Sequence, residues 1–380
     1  MNLCVTAASG LEAAVKHELK RLGYGERPAE AGRISLEGDW EDVARLNVLL
    51  RTGERVLLVL GTFPAVTFDE LFEGVYRIPW EEYLTPHACV RMDGKSVKSR
   101  LAAIKAAGGV AKKAILRRLS EKLNAHTFDE SGERAIVGVS IVGDVATVTL
   151  DTSGDGLHKR GYRVLGYDAP LKETTAAGLL FFARAQAERP FADLFCGSGT
   201  LPIEAAQAML NIAPGGKREF DFTALKCAPK GLIARAREEA EDLRFRGKIA
   251  PITGMDISEK AISTAKYHAK RAGVEEYITF RCADMRTFTS AERGGILLSN
   301  PPYGERIGGG DNLFSLYRDF SRTFRKLNGW SCHFISGYPQ AERAFGSRAE
   351  KKRVLWNARL QCTFYSYPAK KQEKPHAENV

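Results

Sequence analysis

The hydrophobic pattern divides the chain near residue 151, with mixed strands and helices before it and regular alternation after. In the first stretch, residues 2–7, 32–36 and 55–62 read as short strands, and 9–22 and 40–50 as helices. Ser9 and Asp39 stand where N-caps of the two helices are expected. An amphipathic stretch at 68–75 and a strand at 88–92 follow. Leu101, Ile104, Val110, Ile115, Leu116 and Leu119 then recur at roughly helical spacing. Gly108-Gly109 interrupts that stripe, which predicts a loop followed by a helix. Strands at 134–142 and 145–151 are joined by Gly143-Asp144, the composition of a tight hairpin turn. Together these elements predict a small α+β module.

Residues 152–169, rich in Gly, Asp, Arg and Tyr, read as a linker or ordered loop. Strands are predicted beyond it at 191–195, 251–255, 277–281, 295–299, 331–336, 353–357 and 360–367, with helices between the first five. The last two strands flank Ala358-Arg359 as a hairpin. This order predicts an α/β fold with a doubly wound sheet and one reversed edge strand. The polar tail from Ala369, with Pro375, is expected to be disordered. The expected divisions are 1–64, 65–155, 156–368 and the tail 369–380.

Charge sharpens the first half. Residues 1–90 carry 9 Lys/Arg against 14 Asp/Glu, whereas 91–122 carry 10 against 2. Residues 123–155 carry 1 against 6, and the rest 36 against 24. A basic block between acidic ones is the footprint of a polyanion-binding surface. Lys105, Lys112, Lys113, Arg117 and Arg118 lie largely off the apolar stripe and are its candidate contacts. The formal net charge of +10 points the same way. No apolar run is long enough for a membrane helix, and the N-terminus lacks the layout of a signal peptide. Seven scattered cysteines without a CxxC pair, and histidines without ligand spacing, argue against a metal site or disulfide framework. A cytoplasmic protein with free thiols is expected.

Four motifs carry candidate chemistry, each at the end of a predicted strand. The first, Asp193 through Thr200 (DLFCGSGT), is a Gly-rich turn opening a helix. Its glycines permit close ligand approach, and the helix N-terminus offers free N–H groups. Within it Cys196 reads as a packing residue. The second, Asp256-Ile257-Ser258, places an acid where ribose hydroxyls can be held. The third is Ala283-Asp284-Met285, whose carboxylate can receive an adenine amine while Met285 packs on the ring. Each of these alone also fits a plain strand-end turn.

The fourth motif, Ser299-Asn300-Pro301-Pro302-Tyr303-Gly304, is the most specific. An exocyclic base amine is a poor nucleophile because its lone pair is delocalised. The Asn300 side-chain oxygen and Pro301 carbonyl can both accept from it and orient the lone pair, while Tyr303 stacks on an extruded base. The loop holds no cysteine for a covalent pyrimidine mechanism.

In this order the motifs resemble the class I S-adenosylmethionine-dependent methyltransferases of the amino-methylating NPPY subgroup, over roughly residues 160–368. His158-Lys159-Arg160-Gly161-Tyr162-Arg163, Ala169 through Thr174 (APLKET), CGSGTLPIEAA and Asn211 through Gly215 (NIAPG) further resemble the RlmL-type RNA guanine-N2 methyltransferases. That resemblance implies a ferredoxin-like piece and an RNA-binding THUMP domain ahead of the methyltransferase domain. It implies S-adenosylmethionine contacts at Asp193, Cys196, Gly197, Ser198, Gly199, Thr200, Asp256, Ile257, Asp284, Met285 and Asn300. It implies base presentation by Asn300, Pro301, Pro302 and Tyr303. Arg160, Tyr162 and Arg163 either touch RNA phosphate or brace the catalytic loop, and a purely structural role also explains them. The 63-position separation of Asp193 and Asp256 exceeds what one helix and strand need. The extra length, about 211–248, is expected to extend the first helix layer, with RNA contact as the alternative.

The implied substrate is structured RNA, ribosomal ahead of tRNA. A DNA adenine-N6 methyltransferase is the competing enzyme class, since NPPY does not distinguish amino groups on different bases. A non-catalytic RNA-binding protein is the third class. Oligomeric state is open.

Overall fold

The computed structural model describes residues 1–380 except 31, 126, 166–170, 304–309, 358–359 and 370–380. Ala169-Pro170, Gly304, the Ala358-Arg359 turn and nearly all of the tail therefore lie outside the described residues. In chain order the elements begin β1 (Asn2–Ala7), α1 (Glu12–Arg21), β2 (Ala29–Glu30), β3 (Arg33–Glu37), α2 (Trp40–Leu49), β4 (Gly53–Pro64) and α3 (Phe68–Tyr76). Then come α4 (Trp80–Tyr83), β5 (Cys89–Val97), α5 (Ile104–Leu123), β6 (Arg134–Val142), β7 (Val145–Asp151) and α6 (Glu173–Ala183). They continue as β8 (Phe191–Asp193), α7 (Thr200–Met209), α8 (Leu232–Asp242), β9 (Ile252–Asp256), α9 (Glu259–Ala272) and β10 (Ile278–Cys282). The series closes with β11 (Ile296–Ser299), α10 (Gly310–Arg325), β12 (Ser331–Ser336), α11 (Ala341–Phe345), β13 (Lys351–Asn357) and β14 (Leu360–Tyr367).

Two compact units result. The first comprises Met1–Ala7, Lys16–Leu157 and Gly215–Asp242. Its seven-stranded sheet runs β2-β3-β1-β4-β7-β6-β5. Strand β4 pairs with β1 on one side and β7 on the other, so the sheet continues across the expected 64/65 boundary. Local chemistry fixes the ends of its helices. Asp39 caps α2 in a capping box with Asp42, and Thr67 caps α3 with Glu70. Gly143 and Asp144 both have positive φ, as the two-residue hairpin between β6 and β7 demands.

Three sequence expectations are corrected here. Ser9 does not cap α1, which begins only at Glu12. Helix α5 runs unbroken through Gly108-Gly109. A Cβ at Gly108 would make only ordinary contact with Met92, 3.4 Å away, and one at Gly109 would meet open space, so close packing does not account for the pair. The 211–248 insertion does not extend the methyltransferase helix layer, because Gly215–Asp242 joins the first unit. There Arg45 makes two bonds to Glu239 on α8, and Arg134 makes two to Asp221.

The second unit comprises Ala8–Val15, His158–Pro214 and Leu243–Val380. Its sheet order is β10-β9-β8-β11-β12-β14-β13. Strands β8 to β12 are mutually parallel, and β14 runs antiparallel between β12 and the outermost β13. The strand order reverses between β8 and β11, so their carboxyl ends open the crevice where such sheets bind ligands. No full helix separates β10 from β11, contrary to expectation; only a single 3-10 turn, Met285–Thr287, does. Phe191, Ile203, Ile252, Ile296, Leu298 and Ile335 are buried on one face of the sheet, and Leu297, Phe320, Phe334 and Phe345 on the other.

Candidate active site

The Gly-rich turn leaves β8 at Asp193 and enters α7 at Thr200. Gly197 and Gly199 both have positive φ. A Cβ on Gly199 would also lie 2.9 Å from the Ala265 Cβ, so only glycine fits. Gly199 is the N-cap of α7 and supplies no side-chain cap, so the first-turn N–H groups have no capping side chain. Cys196 is buried and burial pushes its thiol up, consistent with packing rather than reactivity. Ser198 and Thr200 are buried as well.

Asp193 is almost wholly buried. It accepts from the Phe195 N–H at 3.0 Å. Burial nevertheless pushes its carboxyl up to about 7, against the lowering effect of that bond and of Ser299, and with Asp256 adding to the rise. Asp256 closes the turn from β9. Its two oxygens accept from Gly197 N–H and Ser258 N–H, each at 2.9 Å. Every carboxylate oxygen keeps a further lone pair for a hydroxyl donor. Beside it Ile257 is 75% exposed, an apolar face at a sheet edge with nothing of its own to cover.

The third motif departs from expectation. Both Asp284 oxygens are taken by Arg286, whose side chain bonds them at 2.9 and 2.5 Å and holds the carboxyl below its usual range. An adenine amine must share that acceptor. Met285 does not present its side chain to a ring: it is buried in the core, with its sulfur 3.8 Å from the Thr323 hydroxyl.

The NPPY loop follows β11. The Asn300 side-chain oxygen is buried and has no hydrogen-bond donor among the described residues. A buried acceptor without a donor is costly, and such an atom marks a place where a ligand group is expected. Tyr317 of α10 braces the loop by donating to the Pro302 carbonyl at 3.4 Å, and its hydroxyl meets Ser336 at 2.6 Å. The Tyr303 hydroxyl accepts from Asn357 of β13 at 2.9 Å. Its ring is half-buried and packs near Gly337, so it is held sideways and is not a wholly open stacking platform.

Two further residues hold the site in place, Ser299 at the head of the fourth motif and His268 outside any motif. The Ser299 hydroxyl accepts from Leu194 N–H at 3.0 Å, tying β11 to β8 beneath Asp193. His268 of α9 lies 3.1 Å through Nδ1 from the Ser198 carbonyl, under the Gly-rich turn. Burial depresses its protonation, so the ring is neutral near pH 7 and Nδ1 carries the donated hydrogen. A helical period placing His268 on the buried side with Ala261, Ala265 and Ala269 was its only sequence signal.

The predicted RNA contacts divide. Arg160 is buried against Glu204, 3.6 Å away, which removes it from any phosphate contact in this state. Tyr162 is also buried, donating to Glu204 at 3.1 Å. Arg163 bonds the Leu171 carbonyl and lies 3.3 Å from Glu173. These contacts hold Arg160 and Tyr162 on α7 and Arg163 at the start of α6, a structural role rather than a contact with RNA or a brace on the catalytic loop. Arg118 grips Glu81 through two nitrogens and is mostly buried, so it too is structural. Lys112 pairs with Glu130, and Arg117 with Glu121. Lys105 and Lys113 are exposed, with no ion-pair partner among the described residues. Lys112, Lys113 and Arg117 line an open groove of about 470 Å³ with Leu116 and Phe128. Among the described residues there is no cluster of three or more possible metal ligands, and no helix is long and apolar enough to cross a membrane.

Comparison with known proteins agrees with this architecture. Residues 160–366 match an RMKL-like methyltransferase domain, 2–57 an RlmL ferredoxin-like domain and 65–151 a THUMP domain. The chain is 38% identical to YpsC of Bacillus subtilis (strain 168), provisionally named an RNA methyltransferase, over 100% of this chain and 99% of that one. It is 33% identical to the ribosomal RNA large subunit methyltransferase K/L of Syntrophotalea carbinolica over 97% of this chain, and spans about half (53%) of that relative. A solved structure from Listeria monocytogenes, named as a predicted N6-adenine-specific DNA methylase, is 42% identical with a TM-score of 0.91, covering 97% of this chain and 96% of that one. Another, SMU.472, named as a methyltransferase and complexed with S-adenosylhomocysteine, is 35% identical with a TM-score of 0.91, covering 98% and 99%. The four strand-end motifs, the β10-β9-β8-β11-β12-β14-β13 order and these matches place the chain in one family: it belongs to the RMKL-like S-adenosylmethionine-dependent methyltransferases that carry RlmL ferredoxin-like and THUMP domains.

Proposed function

We propose that the protein is an S-adenosylmethionine-dependent RNA methyltransferase that forms N2-methylguanosine, with large-subunit ribosomal RNA as its substrate. The observation that carries the exocyclic nitrogen is the buried Asn300 oxygen, without a donor among the described residues, in the braced loop after β11. The THUMP match and the names of the relatives support RNA.

The residues present fit the cofactor. The uncapped first turn of α7 suits its carboxylate, and Asp193 suits its ammonium group. The prepositioned Asp256 oxygens suit ribose hydroxyls, and Ile257 an adenine face. When bound, the cofactor supplies an electrophilic methyl group on a sulfonium. The chain's own part is positional. Asn300 and the Pro301 carbonyl accept from the guanine amine, localise its lone pair and fix its direction. Tyr317 and Ser336 hold the loop in that geometry. The product nitrogen releases its proton to water, so the step needs no side-chain base.

An Asn300→Ala variant should lose about a hundredfold or more in methyl transfer while binding S-adenosylhomocysteine normally. Undiminished transfer would overturn the mechanism. The name of the Listeria relative keeps DNA adenine as the second reading. Transfer of labelled methyl to DNA but not RNA would establish it instead.

A further inference from the structure

The hairpin of β13 and β14 carries an exposed face that the site described above does not use. Strand alternation puts Lys352, Val354 and Trp356 on one face of β13. Register adds Thr363 opposite Val354 and Gln361 opposite Trp356. Val354 is 51% exposed and Trp356 46% exposed. Isolated exposed apolar residues are ordinary, but a tryptophan and a valine two residues apart on an outer strand form a contiguous patch. Trp80 and Trp330 are buried, and Trp40 stacks on Phe222.

The surroundings are basic. Lys352 stands on the patch face, exposed Arg343 and Arg348 flank the nearby Glu342, and alternation turns Lys351 and Arg353 to the other face, where Arg353 lies 4.2 Å over the Phe182 ring. Among the described residues, Glu342 is the acidic side chain paired with this face, through Lys352 at 2.9 Å. The patch also lies next to the candidate catalytic loop. Strand β13 runs parallel to β12, so its carboxyl end reaches the same sheet edge, where Asn357 donates to the Tyr303 hydroxyl. Trp356 is the residue before Asn357.

We propose that this hairpin face is a stacking platform for unpaired RNA beside the target nucleotide, with Trp356 taking a base and the surrounding cations the backbone. An exposed aromatic face with cations beside it is the chemistry that single-stranded nucleic acid recognises. Val354 supplies apolar area next to the base, and Lys352 exchanges Glu342 for phosphate. Because Asn357 ties the same strand to Tyr303, bases held here lie in line with the loop that presents the amine. The inference rests on the RNA reading above but concerns binding, so it is tested apart from catalysis.

The test uses the full chain and a fluorescein-labelled single-stranded RNA of about 12 nucleotides, followed by anisotropy at low salt. Trp356→Ala should weaken RNA binding about tenfold, from the loss of one base–aromatic stack. Trp356→Phe should stay within about threefold of the parent. S-adenosylhomocysteine affinity, measured by calorimetry, should be the same in all three proteins. Equal RNA affinity of parent and Trp356→Ala overturns the proposal. So does an unchanged RNA affinity joined to a smaller sedimenting species, which would make the face a contact with a second copy. A parent protein that binds no RNA but transfers methyl to DNA fails the RNA reading itself, and that outcome is distinguishable from failure of the patch alone.

Discussion

Asp193 offers a sharp quantitative prediction, because its carboxyl is buried and pushed up to about 7 while its proposed partner is the cationic end of the cofactor. Ionisation is then the step that readies the site. With a midpoint of about 7, roughly one-eleventh of the sites are ionised at pH 6 and about three-quarters at pH 7.5. Cofactor affinity should therefore rise about eightfold over that interval, before the cofactor's own amine begins to lose its proton near 8. Stability runs the other way. A carboxyl raised in the folded state favours folding fully below its unfolded value near 4, and the benefit is lost as pH rises through 7. Above that the ionised group costs up to about 4 kcal/mol, taking about 1.4 kcal/mol per pH unit of displacement. Asp193→Asn should thus raise the melting temperature of the cofactor-free protein at pH 8, leave it little changed at pH 4, and flatten the pH dependence of binding. Calorimetry of S-adenosylmethionine binding at pH 6.0 and 7.5, with scanning melts at pH 4 and 8, measures both. Equal affinity at the two pH values, or the same slope in Asp193→Asn, would refute the reasoning.

Other expectations follow from the same structure. Arg118→Ala should lower stability by about 1 kcal/mol in urea melts, with the salt dependence of RNA binding preserved, because Arg118 is committed to Glu81. Lys105→Ala and Lys113→Ala should each reduce the slope of log affinity against log salt by about one and leave stability unchanged; an unchanged slope would remove them from the RNA surface. Arg160→Met should cost about 3 kcal/mol or more by stranding the buried Glu204 carboxylate, whereas the paired Arg160→Met, Glu204→Leu variant should recover much of it. Full stability of the single variant would show that the pair is not coupled. Gly199→Ala should abolish S-adenosylhomocysteine binding, since the new Cβ meets both a positive φ and Ala265; retained affinity would count against the turn as the cofactor site.

What the sequence disclosed depended on how local each feature was. Strand ends and caps were legible because their cause lies within a few residues: Asp39 with Asp42, Gly143-Asp144, and Asp193 through Thr200 before α7. Gly108-Gly109 misled because what holds α5 together is its packing on α3 and β5, which local sequence does not show. The charges of 91–122 misled in part for the same reason. Counting cations cannot show that Arg118 is held by Glu81, which lies 37 residues away. Residues 215–242 follow motif residues of the methyltransferase domain in sequence, yet Arg45 and Arg134 claim them for the first unit. At the site, motif order located Asp256 and Asn300 but could not reveal that Met285 turns into the core or that Arg286 covers Asp284. His268 carries no motif, and the motif containing Ser299 gave that residue no role; their contacts with the Gly-rich turn and the end of β8 identify both.

The central claim is the chemistry at Asn300. The most direct measurement incubates the purified chain with methyl-labelled S-adenosylmethionine and ribosomal RNA lacking its native methylation, then resolves the nucleosides by mass spectrometry. The account predicts label in N2-methylguanosine with the parent chain, and its loss with Asn300→Ala at undiminished S-adenosylhomocysteine affinity. Label in N6-methyladenosine, or equal labelling by the Asn300→Ala variant, would contradict it.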